Sequence, residues 1–223
     1  MSFSLNEIEA MGKRAARGAG LAWGLAEEAG KAARWLTARG YPGASLLADI
    51  LTRNDKRDYA ELAPIEIDGV WQAPTGRLCP LIAGAALSDR AAEIAKGHPI
   101  EFGETAQPLL LIPYVAGAVE LTGAAISIVW DEVVVTLSPA GESIEGDRAL
   151  LTARSTKRVH CRKADPVDQP GAPVSELALP VASVNDLAAP AWSRLAVFAQ
   201  RTFAPATEAS RLSGAGAGLS DNN

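Results

Sequence analysis

The stretch Ala125–Leu137, "AISIVWDEVVVTL", is dense in β-branched and aromatic residues and reads as extended chain, and its reading decides the fold. Two more strand-like stretches flank it: "LLLIPYVAGAV" at Leu109–Val119, and "ALLTARSTKRVHC" at Ala149–Cys161. The joins are short, "LTG" on one side and "SPAGESIEGD" on the other, and consecutive strands so joined favour an antiparallel sheet. From Thr105 to Trp130 the only charge is Glu120, which invites a comparison with a membrane span. A spanning helix needs about 20 consecutive apolar residues, and the pieces on either side of Glu120 are shorter. Two buried strands joined through "ELTG" are expected there, and no membrane association.

Upstream the pattern is helical. "FSLNEI" supplies Ser4 as a cap, Glu7 three residues later and a staple between Phe3 and Ile8, so a helix is expected over Leu5–Arg17, closed by Gly18 and Gly20. A second is expected over Ala22–Ala38 and a third over Ala44–Thr52. The charged connection "RNDKRDYAE" then gives way to short strands, "IEI" at Ile65–Ile67 and "VW" at Val70 and Trp71, with a short helix within Ala83–Lys96. Downstream, "KADPVDQPGAP" at Lys163–Pro173 is an exposed connection. A last helix follows, with Ser183 as its cap and Trp192, Leu195, Ala196, Ala199 and Phe203 as its buried stripe. The expected class is α+β: a helical unit over 1–54, a mostly antiparallel sheet region over 55–163, and a carboxy-terminal helix with a glycine-rich tail over 174–223, all on one body.

Composition excludes several functions. The chain has 223 residues, 48% hydrophobic and 21% charged, with a net charge of −5, which is ordinary for a globular protein and unsuited to neutralising a nucleic-acid backbone. "MSFSLNEIEAMGKR" has no basic segment leading into an apolar one, so a cytoplasmic location is expected. Cys79 and Cys161 are too few for a disulfide framework; with His98 and His160 the only histidines, a multi-histidine metal site is excluded while a carboxylate-rich one is not, and no metal residues are assigned. No cofactor motif survives either. The glycines of "GAGLAWG", Gly18, Gly20 and Gly24, follow a helix where a dinucleotide fingerprint needs a strand, so they read as a turn between helices. Glu27 and Glu28 diverge by about 100° and form no facing acid–base pair; the helix dipole and a Glu27–Lys31 pair account for them.

The strongest charge feature is "ARSTKRVHCRK", where alternation puts Arg154, Arg158, His160 and Arg162 on one strand face and Cys161 on the other. Guanidinium groups in such a stripe hold carboxylate or phosphate by paired hydrogen bonds; the same stripe also serves as a charged sheet element paired with Asp131, Glu132 or Asp147. The chain closes on "RLSGAGAGLSDNN", in which Leu212 and Leu219 bracket the glycines. Gly214 to Asp221 is expected to dock on the body, with Gly214, Gly216 and Gly218 chosen for close backbone approach and positive φ rather than as a phosphate loop.

The segments "LNEIEAMGKRAARGAGLAWGLAEEAGKAARWL" and "RTFAPATEASRLSGAGAGLSDNN" together resemble an uncharacterised family of bacterial proteins of unknown function. The resemblance implies a bacterial origin and carries no catalytic residues. Two functions are expected from the chain's own residues: binding or processing of a small anionic metabolite at the cationic strand and glycine tail, or a non-catalytic accessory or assembly role through a partner or a second copy.

Overall fold

The computed structural model describes residues 3–66, 68–165 and 181–203, with the backbone alone for 181–189. Its first helix, α1 (Leu5–Gly18), opens on the expected capping box: the Ser4 hydroxyl accepts from the Glu7 amide at 3.3 Å, and a Glu7 carboxylate oxygen accepts from the Ser4 amide at 2.8 Å. Helices α2 (Trp23–Ala38) and α3 (Gly43–Arg53) follow within one or two residues of expectation. Small residues let α1 and α2 approach closely, since a Cβ on Gly12 would stand 3.1 Å from the Cα of Gly30. Their rims are tied by Lys13 to Glu27 and by Arg34 to Glu9 at 2.9 Å. Glu27 thus serves the helix contact, while Lys31 bonds Glu28 rather than the expected Glu27.

A single turn, α4 (Tyr59–Leu62), is capped by Asp58 and leads to β1 (Val70–Trp71). Ile65 and Glu66 form no strand, and Ile67 lies outside the described residues. The expected short helix is two, α5 (Pro80–Asp89) and α6 (Ala91–Ala95), beginning at Pro80, whose fixed φ suits a first helical turn. Strands β2 (Ile100–Phe102) and β3 (Thr105–Ala106) precede the largest correction. Leu109–Val119 is not a strand. It forms a 3-10 turn, Pro108–Leu111, and helix α7 (Ile112–Thr122), stopped by Gly123 at φ 68°. Its buried residues include Ile112, Tyr114, Val115, Ala118 and Val119, and Pro113 sits in the first turn, where no amide is missed. The opposite face, with Gly117, Glu120 and Leu121, is exposed but carries only one charged side chain, so no polar face marks the helical period and the stretch reads like a buried strand.

"AISIVWDEVVVTL" is a hairpin, β4 (Ile126–Trp130) and β5 (Val133–Ser138), turning at Asp131 with φ 47°. After β6 (Gly141–Glu145), Ala149–Cys161 breaks into three pieces rather than one strand: a 3-10 turn over Arg148–Thr152, β7 (Ser155–Thr156) and β8 (Val159–Lys163). Among the described residues six strands pair in the order β1-β2-β8-β4-β5-β6, antiparallel throughout except β1 with β2, and β3 pairs β7 in a small second sheet. The class is α+β, although the sheet region also holds α4 to α7.

Helix α8 (Val181–Gln200) returns to the amino-terminal helices. Ala191, Leu195, Phe198 and Ala199 are buried, Trp192 stacks on Phe3 at 3.8 Å, and Arg201 forks onto Asp55 at 2.6 and 3.0 Å. Phe203 is not part of the buried stripe: it lies past the helix and is 61% exposed. Ser183 stands inside α8 rather than at its cap, and its side chain and the glycine tail with Gly214, Gly216 and Gly218 lie outside what is described. One continuous core runs from Ile8 through the sheet to Ala199.

Candidate functional site

Strand β8 sits between β2 and β4, and the pleat separates its side chains as expected. Val159 and Cys161 are buried, while His160 and Arg162 are half-buried on the other face. Glu101 on β2 stands opposite His160; it approaches His160 Nδ1 at 3.6 Å and Arg158 at 3.4 Å. Arg162 bonds Asp165 at 2.8 Å. The carboxylate partners are therefore Glu101 and Asp165, rather than Asp131, Glu132 or Asp147. Asp131 instead accepts from the Thr156 hydroxyl, and Asp147 caps the 3-10 turn. Arg154 is exposed beyond β7, where its carbonyl accepts from the Gln107 amide. Thus Arg158, His160 and Arg162 share one side of the sheet, and Arg154 stands apart.

A different set of residues encloses space. The α1–α2 turn, the end of α3, α4 and the start of α5 surround a chamber of about 350 Å³. Its wall is mostly apolar, with Leu21, Leu25, Leu51, Leu62, Leu81 and Ile82, and Cys79 lies in it. Asn54, Arg57 and Tyr59 supply its polar edge. A second cleft, of about 330 Å³, shares Asn54, Arg57 and Leu62 with the chamber and adds Arg53, Thr75, Arg77 and Glu104. The two spaces adjoin through these shared residues. Arg57 reaches Glu61 at 3.7 Å and Arg77 bonds Glu104, while Arg53 has no carboxylate partner among the described residues. Three guanidinium groups against two carboxylates leave this mouth cationic.

Local sequence explains the arrangement. "RNDKRDYAE" is the connection in which α3 stops, Lys56 takes φ 61°, and Asp58 restarts a turn, so Arg53 and Arg57 come out on either side of a tight bend. Cys79 is the N-cap residue of α5 and makes no side-chain cap hydrogen bond. Burial pushes the Cys79 thiol up, and the nearby amides of Ile82 and Leu81 and the Asn54 side chain only oppose that rise. A neutral, buried thiol is a poor nucleophile.

Two further spaces lie elsewhere. One, of about 580 Å³, is bounded by Trp35, Glu120 and the β5–β6 turn, where the Arg39 guanidinium lies 3.6 Å over the Trp35 ring and bonds Glu142 at 3.1 Å. The other, of about 550 Å³, is bounded by Trp71, Arg90, Glu93, Lys96 and His98. None of Arg154, Arg158, His160 and Arg162 lines any of these four cavities. Among the described residues no three His, Cys, Asp or Glu side chains gather as a metal site, and no helix is long and apolar enough to cross a membrane.

The chamber is built almost wholly from the amino-terminal third. Residues 3–79 match a family described as protein of unknown function (DUF3726). The match agrees with the expected likeness to an uncharacterised family. No curated protein and no solved structure matches the chain. The DUF3726 segment supplies every wall residue of the chamber except Leu81 and Ile82, and Arg53, Arg57 and Arg77 at its mouth. Nothing in the sequence singled these arginines out, because the fold brings Arg77 to Arg53 and Arg57 from beyond β1; the available signal was the charge density of "RNDKRDYAE".

Proposed function

We propose that the protein binds a small organic anion with an apolar body, its chain in the chamber and its anionic group at Arg53, Arg57 and Arg77. The observation that carries this reading is the sharing of Asn54, Arg57 and Leu62 between an apolar chamber and an arginine-lined cleft. The chamber falls within the ordinary size range of small-molecule sites, roughly 300–1,000 Å³. Guanidinium groups recognise carboxylate or phosphate by paired hydrogen bonds. Each methylene buried adds about 0.8 kcal/mol, so affinity should rise about fourfold per carbon until the chamber is full.

The test is a thermal-shift series of straight-chain carboxylates from acetate to decanoate, with phosphate and alkyl sulfonates beside it. A ligand at 100 times its Kd stabilises by about 2.7 kcal/mol, which is several degrees for a chain of this size. The expected result is a shift that grows with chain length and disappears in the Arg53→Gln/Arg57→Gln double variant. No shift from any member would overturn the reading.

The cationic strand is the alternative anion position, favoured by the convergence of Arg158 and His160 on one carboxylate, Glu101. Replacing Arg158 and Arg162 together by Gln tells the two apart. On the chamber reading the double variant keeps the ligand shift and melts within a few degrees of wild type, since Arg158 is largely exposed; loss of the shift would move the site to β8. The non-catalytic assembly role is the second reading, favoured by the exposed rings of Trp23, Tyr59 and Phe203. A concentration-dependent mass in solution would support it.

A further inference from the structure

The largest of the four spaces, about 580 Å³, shares no residue with the chamber and lies where two helices end against a hairpin. Trp35 and Arg39 reach it from the carboxy-terminal end of α2, Val119, Glu120 and Gly123 from that of α7, and Leu137 to Glu142 from the turn between β5 and β6. Arg39 is a fixed part of the wall. Its guanidinium lies over the Trp35 ring, and its Nε–H is shared by both Glu142 oxygens, at 3.1 and 3.2 Å, so these two charges offset each other. Glu120 is different. It is the only charge between Thr105 and Trp130, it is exposed, and it has no cationic partner among the described residues. It also stands in the last turn of α7, where the negative pole of the helix disfavours a carboxylate and no basic residue accompanies it. Two carboxylates against one guanidinium, at the end of a helix, leave this cleft one positive charge short.

We propose that the cleft is a second ligand site, which binds a small primary alkylammonium with its nitrogen at Glu120 and its chain along Val119, Leu137 and Pro139. The charge count selects a single cation. It brings the cleft to neutrality, whereas a carboxylate or phosphate would deepen the deficit and a zwitterion would leave it unchanged. A primary ammonium presents three N–H donors. The Glu120 carboxylate takes one or more of them, and the last carbonyls of α7, which a helix end leaves without helical partners, take the rest. Gly123, which closes the helix without a side chain, keeps that end open to a ligand. The volume falls within the ordinary range for small-molecule sites. The chamber selects an anion and this cleft the opposite charge, and neither reading depends on the other.

The experiment titrates the full chain with hexylammonium chloride by isothermal calorimetry, beside hexanoate and leucine at the same concentrations. Hexylammonium is expected to bind with a millimolar or tighter Kd, and Glu120→Gln to weaken it about fivefold, the upper range for an exposed ion pair. Glu120→Gln takes a carboxylate away from a helix end that disfavours it, so its unliganded melting point is expected to hold or rise, and weaker binding is then no folding defect. A diazirine derivative of hexylamine is expected to label residues within 35–39, 116–123 or 137–142, equally in wild type and in the Arg53→Gln/Arg57→Gln double variant. No heat at millimolar hexylammonium, unchanged affinity in Glu120→Gln, tighter binding of hexanoate or leucine, or labelling confined to the chamber wall would each overturn the proposal.

Discussion

Gly30 has no room for a methyl group, because a Cβ there would stand 2.6 Å from the Glu9 carbonyl oxygen and 3.0 Å from the Lys13 amide nitrogen. Both obstacles are backbone, so α1 itself must move. Gly30→Ala is expected to cost about 1–3 kcal/mol, read as a lower urea midpoint, although alanine is the better helix former. The thiols give a second expectation. Burial pushes Cys161 from 9.0 up to about 12 and moves Cys79 the same way. An acid raised on folding keeps its full contribution below its unfolded value and loses it as pH climbs to the folded one. Stability should therefore fall from about pH 9 upward, by about 1.4 kcal/mol per pH unit for each such group. Cys161→Ala should lower stability at neutral pH and flatten the alkaline decline, as followed by urea melts between pH 7 and 11. At this scale the sequence was a fair guide to Cys161, since alternation alone put it opposite His160. It was a poor guide to Gly30, whose constraint comes from a helix it does not belong to.

Elements whose ends carry their own chemistry were legible. The box of Ser4 and Glu7 is complete within four residues, and Ser4→Ala should cost about 1 kcal/mol and speed exchange in the first turn of α1. The β4–β5 hairpin was legible as extended chain for the same reason, its β-branched residues being a local property. Helix α7 was not, because its exposed face carries Gly117 and Leu121 beside the single charge of Glu120, which left only composition to read, and its composition is that of a strand. Its stop signal is nonetheless specific. Gly123 has open space around it but holds φ 68°, so Gly123→Ala costs only the left-handed penalty, about 1–2 kcal/mol, and Gly123→Asn less. A thermal melt that ranks glycine over asparagine over alanine confirms the cap.

Across the whole molecule, the candidate site was illegible for a geometric reason: Arg53 and Arg57 share one stretch, but Arg77 comes from beyond β1, and only the packing of α3, α4 and the chain before α5 brings all three to one mouth. The boundary of the family match makes the same point. It ends at Cys79, at the doorstep of α5, whose Leu81 and Leu87 are fully buried in the common core. A fragment of residues 3–79 also lacks α8, which covers α1 and α3 through Trp192 on Phe3, Arg194 on Asp49 and Arg201 on Asp55. Such a fragment is expected to show helical circular dichroism without a cooperative melt, and the full chain to show both.

Helix α8 seats its Phe198 carbonyl against Gly18 of α1, and this has a consequence for synthesis. Elongation at about 5–20 residues per second separates the two by roughly ten to forty seconds. During that interval α1 and α2 stand at the ribosome with one flank bare, and Ala15, Ala16 and the chamber rim wait for a helix that has yet to be made. The amino-terminal helices are thus a client for whatever shields nascent apolar surface, and they are closed only when the last helix arrives.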